Sequence, residues 1–559
     1  MSLPMIETSA KQVIIDIETN GLLDKVTKIH CIVCKEVLSG VVTKYTSTDD
    51  FLNGPYTGDT ILIGHNILSF DLPVLAKLLG YRHSVSKCID TLILSQLFNP
   101  IREDGHSLSA WGERLEFPKK ESPTFEKYTP KLLEYCVNDV ELTYRLFKYL
   151  TDEDEGFKFS KGSIKREHYF RYIINQQEYH GFYLDLPYAT TFLAELTDKC
   201  ITIEHELQKI FPPTVIELKT KTKYIPFNPA SRKQIAERLM LKGWKPELLT
   251  EKGNIIVNED VLAEIKNIPE SESILEYLLL QKRASQVRSW IKFCDPNTSR
   301  VYGRVKTLGT VSTRCSHLDP NVAQTPAVHS PYGNECRTCW TVSDVDKYRL
   351  LGCDASQLEL RVLAHYMKDK NYIEEILHGD IHSANQRMAG LKTRDQAKVF
   401  IYALIYGAGA KKIGKIMNKS PREGQHIKNK FLENVPALDT LLQKVHNAAD
   451  HSGTIRGLDG RYFQVRSLHS SLNVLIQGGG AIICKEWLIQ IMKEIQQQNI
   501  KAKPVANIHD EIQFEVNKEE AETLGQITKQ AMKRVEKILK LDCPLDSEYK
   551  IGRTWALTH

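Results

Sequence analysis

The 559-residue sequence predicts an α/β module at its front, a mainly helical middle and a mixed α+β remainder. Three observations carry that division. Apolar runs at 12–18, 29–33 and 61–64 precede helical periodicity from about Leu72 to Leu150, the succession expected of an α/β domain. The acidic stretch Asp152-Glu153-Asp154-Glu155-Gly156 interrupts that periodicity and reads as a linker. From about 163 to 300 the pattern is mostly helical, with an irregular centre from Phe211 to Pro229; beyond 300, helices alternate with short strands and end in a strand pair around His509-Asp510-Glu511.

Composition narrows the class. Hydrophobic residues at 42% and charged residues at 26% exclude collagenous, low-complexity and mostly disordered chains. No apolar run is read as approaching the ~18 uncharged residues of a membrane span, and the N-terminus lacks a secretory leader pattern, so a cytosolic, membrane-free protein is expected. Twelve cysteines are too dilute for a disulfide scaffold, and the two Cys-x-x-Cys pairs, Cys31/Cys34 and Cys336/Cys339, read as buried free thiols. Residues 1–150 carry 16 Lys and Arg against 19 Asp and Glu, leaving 58 against 50 for the rest. An acidic front and a basic body fit a metal-binding module joined to a polyanion-binding one.

The front module holds an acid pattern. Asp16 and Glu18 alternate on an otherwise apolar strand and so share one face, an expensive arrangement unless a cation binds them. Asp71 follows a second strand and the His65-Asn66 pair; Tyr135 stands one helical turn before Asp139. Asp90, in Ile89-Asp90-Thr91, reads as a structural cap. In this order the four carboxylates and the tyrosine resemble the DEDD proofreading exonucleases, tyrosine variant, over roughly residues 10–150. The resemblance implies that Asp16, Glu18, Asp71 and Asp139 hold two divalent metals while Tyr135 orients the attacking water.

In the body, Arg349 to Arg361 is an apolar strand ending in Asp354, followed by a helix. Asn507 to Glu515 alternates as a hairpin with Asp510 and Glu511 at its turn. Between them Arg394, Lys398, Tyr402 and Tyr406 recur every fourth residue, one helical stripe drifting by about 40° per step. Cations at one end can clamp phosphate oxygens, and the tyrosines offer flat platforms for a base pair.

These segments, in this order, resemble the family A, DNA polymerase I-like, DNA polymerases, and within them the bacteriophage replicative branch. Thr313-Arg314 to Asn321, Gln324-Thr325-Pro326, Gly379-Asp380-Ile381-His382, Ser330 to Gly333, Gly457 to Arg461, Asn473 to Gln477 and Trp555-Ala556 extend the likeness over nearly the whole chain. The fold implied is an α/β, ribonuclease H-like exonuclease domain followed by an α+β right-hand polymerase. Its expected divisions are an exonuclease at 1–155, a helical thumb at 156–300, and a palm at 301–559 with fingers inserted near 370–450. By the resemblance, Asp354, Asp510 and the Ala355 carbonyl bind two Mg²⁺, with Mn²⁺ as a substitute and Glu511 in support. Arg394, Lys398 and His382 bind the triphosphate, Lys398 within the catalytic set. Glu359 and Tyr402 flank the incoming sugar, and Arg314, Gln477, His509, Tyr406 and Asn473 contact DNA. Implied partners are primer-template DNA, dNTPs, a phage helicase-primase and a single-strand binding protein, for a monomer in the cytoplasm of an infected bacterium. The short segment from Pro212 to Pro226 leaves no room for a thioredoxin-binding insertion, so no thioredoxin is expected. A nuclease with a degenerate polymerase half and a non-catalytic nucleic-acid clamp are the rival classes; the joint presence of Asp354, Asp510, Arg394, Lys398 and Tyr402 disfavours the first, and acids and bases in working order disfavour the second.

Overall fold

The computed structural model describes residues 10–56, 58–152, 159–217, 221–250 and 252–559. Two compact units interleave along the chain. The first comprises residues up to His180, Arg304–His317 and Leu351–Lys550; the second comprises Gly181–Gly303, Leu318–Leu350 and Ile551–His559. The acidic linker expected after residue 152 lies, from Glu153 onward, outside the described residues.

The front of the first unit is a five-stranded sheet. Its strands are β1 (Gln12–Thr19), β2 (Ile29–Glu36), β3 (Val42–Tyr45), β4 (Ile61–Gly64) and β5 (Cys88–Asp90), in the order β3-β2-β1-β4-β5. Central β1 pairs antiparallel with β2 and parallel with β4, and is covered on both faces, which is why it reads as a nearly continuous apolar run. The helix Pro130–Leu150 packs on β1 and β2. Thr129 caps it by accepting the Leu132 N–H, Pro130 fits its first turn, and it buries Tyr135, Cys136, Asp139 and Leu142 on its inner side.

The same unit contains a four-stranded sheet ordered Ala502–Ile508, Glu511–Asn517, Tyr348–Ala355, Ser547–Gly552. Residues 370–452 form six helices, without a strand among the described residues. Against them lies Ser471–Gln497, buried almost all round; contrary to the expectation that no apolar run approaches a membrane span, the stretch Leu468–Gln497 is long and apolar enough to cross one, but 94% of its most apolar window is covered by the protein. A core helix needs no polar face, and this one has almost none.

The helix Lys161–His180 links the front sheet to this core. His168 Nε2 accepts the Asp90 N–H at 2.7 Å, and Asn175 Nδ2 donates to the Leu68 carbonyl at 2.7 Å. On its other side Arg166 pairs with Asp459 and Glu486, and Glu167 with Arg461 and Lys485. Each of these charges is buried and each is paired, the condition under which such a cluster is tolerated.

In the second unit the helices Leu186–Ile210 and Glu270–Phe293 pack lengthwise, and a small sheet joins Trp340–Thr341, Phe182–Leu184 and Arg300–Val301. The irregular centre foreseen there contains an exposed hairpin, Thr214–Glu217 with Thr222–Ile225, carrying Lys221 and Lys223; Lys219 lies outside the described residues. Cys31, Cys34, Cys336 and Cys339 are free and buried.

Candidate active sites

Two clusters of acids stand out, both in the first unit. In the front sheet Asp16 and Glu18 project from β1, Asp71 opens the helix Asp71–Leu79, and Asp139 comes from Pro130–Leu150. Burial, with the charge of Asp139 beside it, pushes Asp16 up to about 7. Burial and the neighbouring Asp16 and Asp139 push Glu18 up to about 9, and burial with Asp16 raises Asp71 well above the usual carboxylate range. Burial raises Asp139 too, against the pull of Lys119, whose Nζ stands 2.7 Å from its Oδ2. Asp139 Oδ1 is buried and has no hydrogen-bond partner. Crowded, desolvated carboxylates with an orphaned oxygen fit divalent cations, which relieve both the burial cost and the mutual repulsion. Tyr135 is buried beside them, edge-on to Phe125 and beneath the Lys119 ammonium, 4.8 Å from its ring centre. Asp90 accepts the N–H groups of Asn66, Leu68 and Leu92, the capping work expected of it.

The second cluster opens into a cavity of about 710 Å³. Asp354 ends the strand Tyr348–Ala355, and Asp510 sits in the two-residue turn between Ala502–Ile508 and Glu511–Asn517. His509 takes the left-handed conformation there, at φ 57°. The Ala355 N–H donates to the Asp510 carbonyl at 3.1 Å, so strand pairing itself brings the two carboxylates to one wall. Partial desolvation, then the charges of Asp510 and Glu511, push Asp354 up to about 8. Asp510 is raised for the first of these reasons, opposed by His509 and Arg314. The second cluster therefore fits cations on the same grounds as the first.

The opposite wall is the helix Arg394–Ile405. Thr393 caps it, and Arg394, Lys398 and Tyr402 line the cavity from its first turn inward. Two cations beside a helix N-terminus add to the positive potential already there and make an anion site. Gly407, at φ 75°, lies where an added Cβ would strike the His469 carbonyl, so glycine is required where the helix stops and Tyr406 turns toward the cavity. Tyr406 donates its hydroxyl to Glu359, which also receives Arg314 at 3.0 Å. His382 stands 6.3 Å from the Tyr402 ring; burial first, then Arg394 and Lys398, hold its imidazole below the ordinary range.

The cavity thus gathers Asp354, Ala355, Glu359, His382, Arg394 and Lys398, together with Tyr402, Tyr406, His509, Asp510 and Arg314. Glu511 is turned inward, its Oε1 accepting from Gln513 at 2.7 Å. Asn473 and Gln477 lie half-buried, one turn apart on Ser471–Gln497, outside the cavity lining. Three participants escaped the sequence reading. Gln357 lines the cavity, Asp380 binds Arg394 through two hydrogen bonds of 2.7 and 3.2 Å, and Lys119 occupies the front cluster. Asp380 lay within a recognised segment, yet only its spatial pairing reveals a role.

DNA polymerase family A matches residues 197–557 of the chain. Over 97% of its length the chain is 30% identical to the DNA-directed DNA polymerase of Enterobacteria phage T3, covering 99% of that protein. The same identity holds for the DNA-directed DNA polymerase of Escherichia phage T7, over 98% of this chain and all of that one. Among solved structures, the POL domain of Pol1 from M. smegmatis, in complex with DNA primer-template and dNTP, superposes with a TM-score of 0.82 at 18% identity, over 99% of this chain and 97% of that one.

Proposed function

The chain belongs to DNA polymerase family A, and from that premise we propose that it is a replicative DNA-directed DNA polymerase with a 3′-5′ proofreading exonuclease in its front module. The observation that carries the synthetic half is one cavity with paired carboxylates on one wall and a cationic helix end on the other. Family membership makes the reaction metal-dependent, and Mg²⁺ suits the all-oxygen donors of the cavity. When bound, divalent cations supply activation of the attacking oxygen and neutralisation of the departing one; Asp354, Asp510 and the Ala355 carbonyl would hold them in the cavity, and Asp16, Glu18, Asp71 and Asp139 in the front cluster.

The chain's own groups do the rest. Arg394, Lys398 and His382 receive the triphosphate; Tyr402 stacks under the incoming base, and Glu359 stands at the sugar. Asp380 must surrender Arg394 when the triphosphate arrives. Arg314, Tyr406, His509, Asn473 and Gln477 contact primer-template, where shape rather than sequence is read. In the front module Tyr135 orients the water that attacks the terminal phosphodiester.

We assign the exonuclease to 1–155, the thumb to 156–300 and the palm to 301–559, with the helices near 370–450 as fingers. The setting is a phage replisome in an infected cell, with a helicase-primase and a single-strand binding protein as co-workers. A primer-extension gel with and without dNTPs tests both activities: lengthening with dNTPs, shortening without them, and loss of lengthening alone in Asp354→Asn are the expected results.

A further inference from the structure

Among the described residues, Thr313 is the one β-branched residue whose backbone takes the left-handed conformation, at φ 59°. A branched Cβ crowds the neighbouring peptides there, and such strain persists only where surrounding groups hold it, typically beside a functional site. The site is one residue away. Arg314 lines the cavity, and its Nη2 stands 3.0 Å from Glu359 Oε1.

Two sets of contacts hold the bend. Within the loop, the Thr313 N–H donates to the Thr310 carbonyl at 2.9 Å, the Arg314 N–H to Thr310 Oγ1 at 3.0 Å, and the Gly309 N–H to the Arg314 carbonyl at 3.0 Å. From outside the loop, Arg461 Nη1 donates to Thr313 Oγ1 at 3.1 Å. That guanidinium is fully buried and cannot wander: Asp459 and Glu167 each hold it at 2.7 Å, and Lys485 holds Glu167 in turn at 2.8 Å. A hydrogen bond from a fixed, charged donor in a dry interior is of the stronger kind. Thr313 itself is 3% exposed, so no water can take the place of that donor.

We propose that Thr313 is a positioning residue for synthesis: its hydroxyl, anchored by Arg461, keeps the left-handed bend that aims Arg314 at Glu359 and at the primer terminus. A change of φ at residue 313 rotates everything beyond it, beginning with the Arg314 side chain. Without the anchor, a branched residue escapes its strain by leaving the left-handed region. The contact with primer rests on the polymerase reading above; the aim at Glu359 does not.

The test compares substitutions at residue 313 in the full chain, by single-nucleotide primer extension and by crystal structures of the variants. Thr313→Val keeps the branched shape and loses the hydroxyl. It should lower kcat/KM for dNTP addition about tenfold and separate Arg314 from Glu359. Thr313→Ser keeps the anchor, and Thr313→Gly adopts the bend without one; both should keep the Arg314–Glu359 pair and stay within about threefold of wild type. In an Arg314→Ala background, Thr313→Val should lower the rate no further, because the residue acts through Arg314. Thermal melting verifies each fold, and Thr313→Ala takes the place of a Thr313→Val chain that does not fold. An Arg314–Glu359 pair intact in Thr313→Val overturns the proposal, as does a Ser or Gly variant as impaired as the Val one, or a further loss of rate in the Arg314→Ala background. Absence of extension by wild type sinks the polymerase reading, while the variant structures still decide whether Thr313 aims Arg314.

Discussion

Glu359 accepts both Arg314 and Tyr406, so its carboxylate is fixed rather than free to swing away from an incoming sugar. Replacing it with alanine opens space for a 2′-hydroxyl. Glu359→Ala should therefore cut discrimination against ribonucleotides by about 10- to 100-fold, read as the ratio of kcat/KM for rNTP and dNTP. On the proposed nucleotide pose, the Tyr402 hydroxyl stands in for a missing 3′-OH. Wild type should accept dideoxynucleotides readily and Tyr402→Phe should reject them more strongly; equal termination ladders from the two enzymes would refute the role. At this scale, legibility followed local spacing. Arg394, Lys398 and Tyr402 announced themselves by a four-residue interval, because one helix carries all three. Lys119 and Asp380 did not, since each gains its meaning from a side chain on another element.

Among the elements, β1 bears the largest electrostatic cost. Ordinary carboxylates ionise near 4, whereas Asp16 and Glu18 are pushed up to about 7 and about 9. Between about pH 4 and pH 9 these two carboxyls thus bind more protons in the folded, metal-free chain than in the unfolded one, and their contribution to stability falls as pH rises through that window. In EDTA the midpoint of the wild type should fall relative to that of Asp16→Asn with Glu18→Gln between pH 5 and pH 8. Mg²⁺ should raise the midpoint more at pH 8, by an amount equivalent to about 2.7 kcal/mol at one hundred times its dissociation constant. Asp16→Asn with Glu18→Gln should flatten the EDTA profile; an unchanged slope would remove the cluster from the explanation. The helix Lys161–His180 offers a second test. Glu167→Gln leaves Arg461 and Lys485 short of a counter-charge in a dry interior and should cost about 3–5 kcal/mol by urea denaturation. Strands β1, β2 and β4 were readable because burial on both faces left long apolar runs. The strands β3 and β5 were not: β3 is half exposed, and β5 is only three residues long, merging into the helix Asp90 caps. The strands Thr214–Glu217 and Thr222–Ile225 bury almost nothing, so they left no hydrophobic pattern to read.

For the whole molecule, the two acid clusters belong to separate sheets, so their activities should separate. Asp16→Ala with Glu18→Ala should abolish shortening of a primer in the absence of dNTPs while leaving extension largely intact; joint loss in a folded enzyme would contradict the assignment. The fifteen residues from Pro212 to Pro226 are far below the ~40 at which an inserted module could fold unaided. Product length per encounter should not grow when thioredoxin is added, and replacing Lys219, Lys221 and Lys223 should shorten it at moderate salt. The order of motifs along the chain was legible, but the interleaving of the two units was not, because contacts between distant segments leave no local trace. The helix Lys161–His180 has one further consequence. Through His168 and Asn175 it grips the loops beside Asp90 and Asp71, and through Arg166 and Glu167 it grips the core behind the cavity. The two workshops are bolted to one shaft. On the proposed exonuclease reading it is then the DNA that travels: the primer terminus frays from its template and crosses as a single strand, and the ease of melting its last base pairs becomes the editing clock.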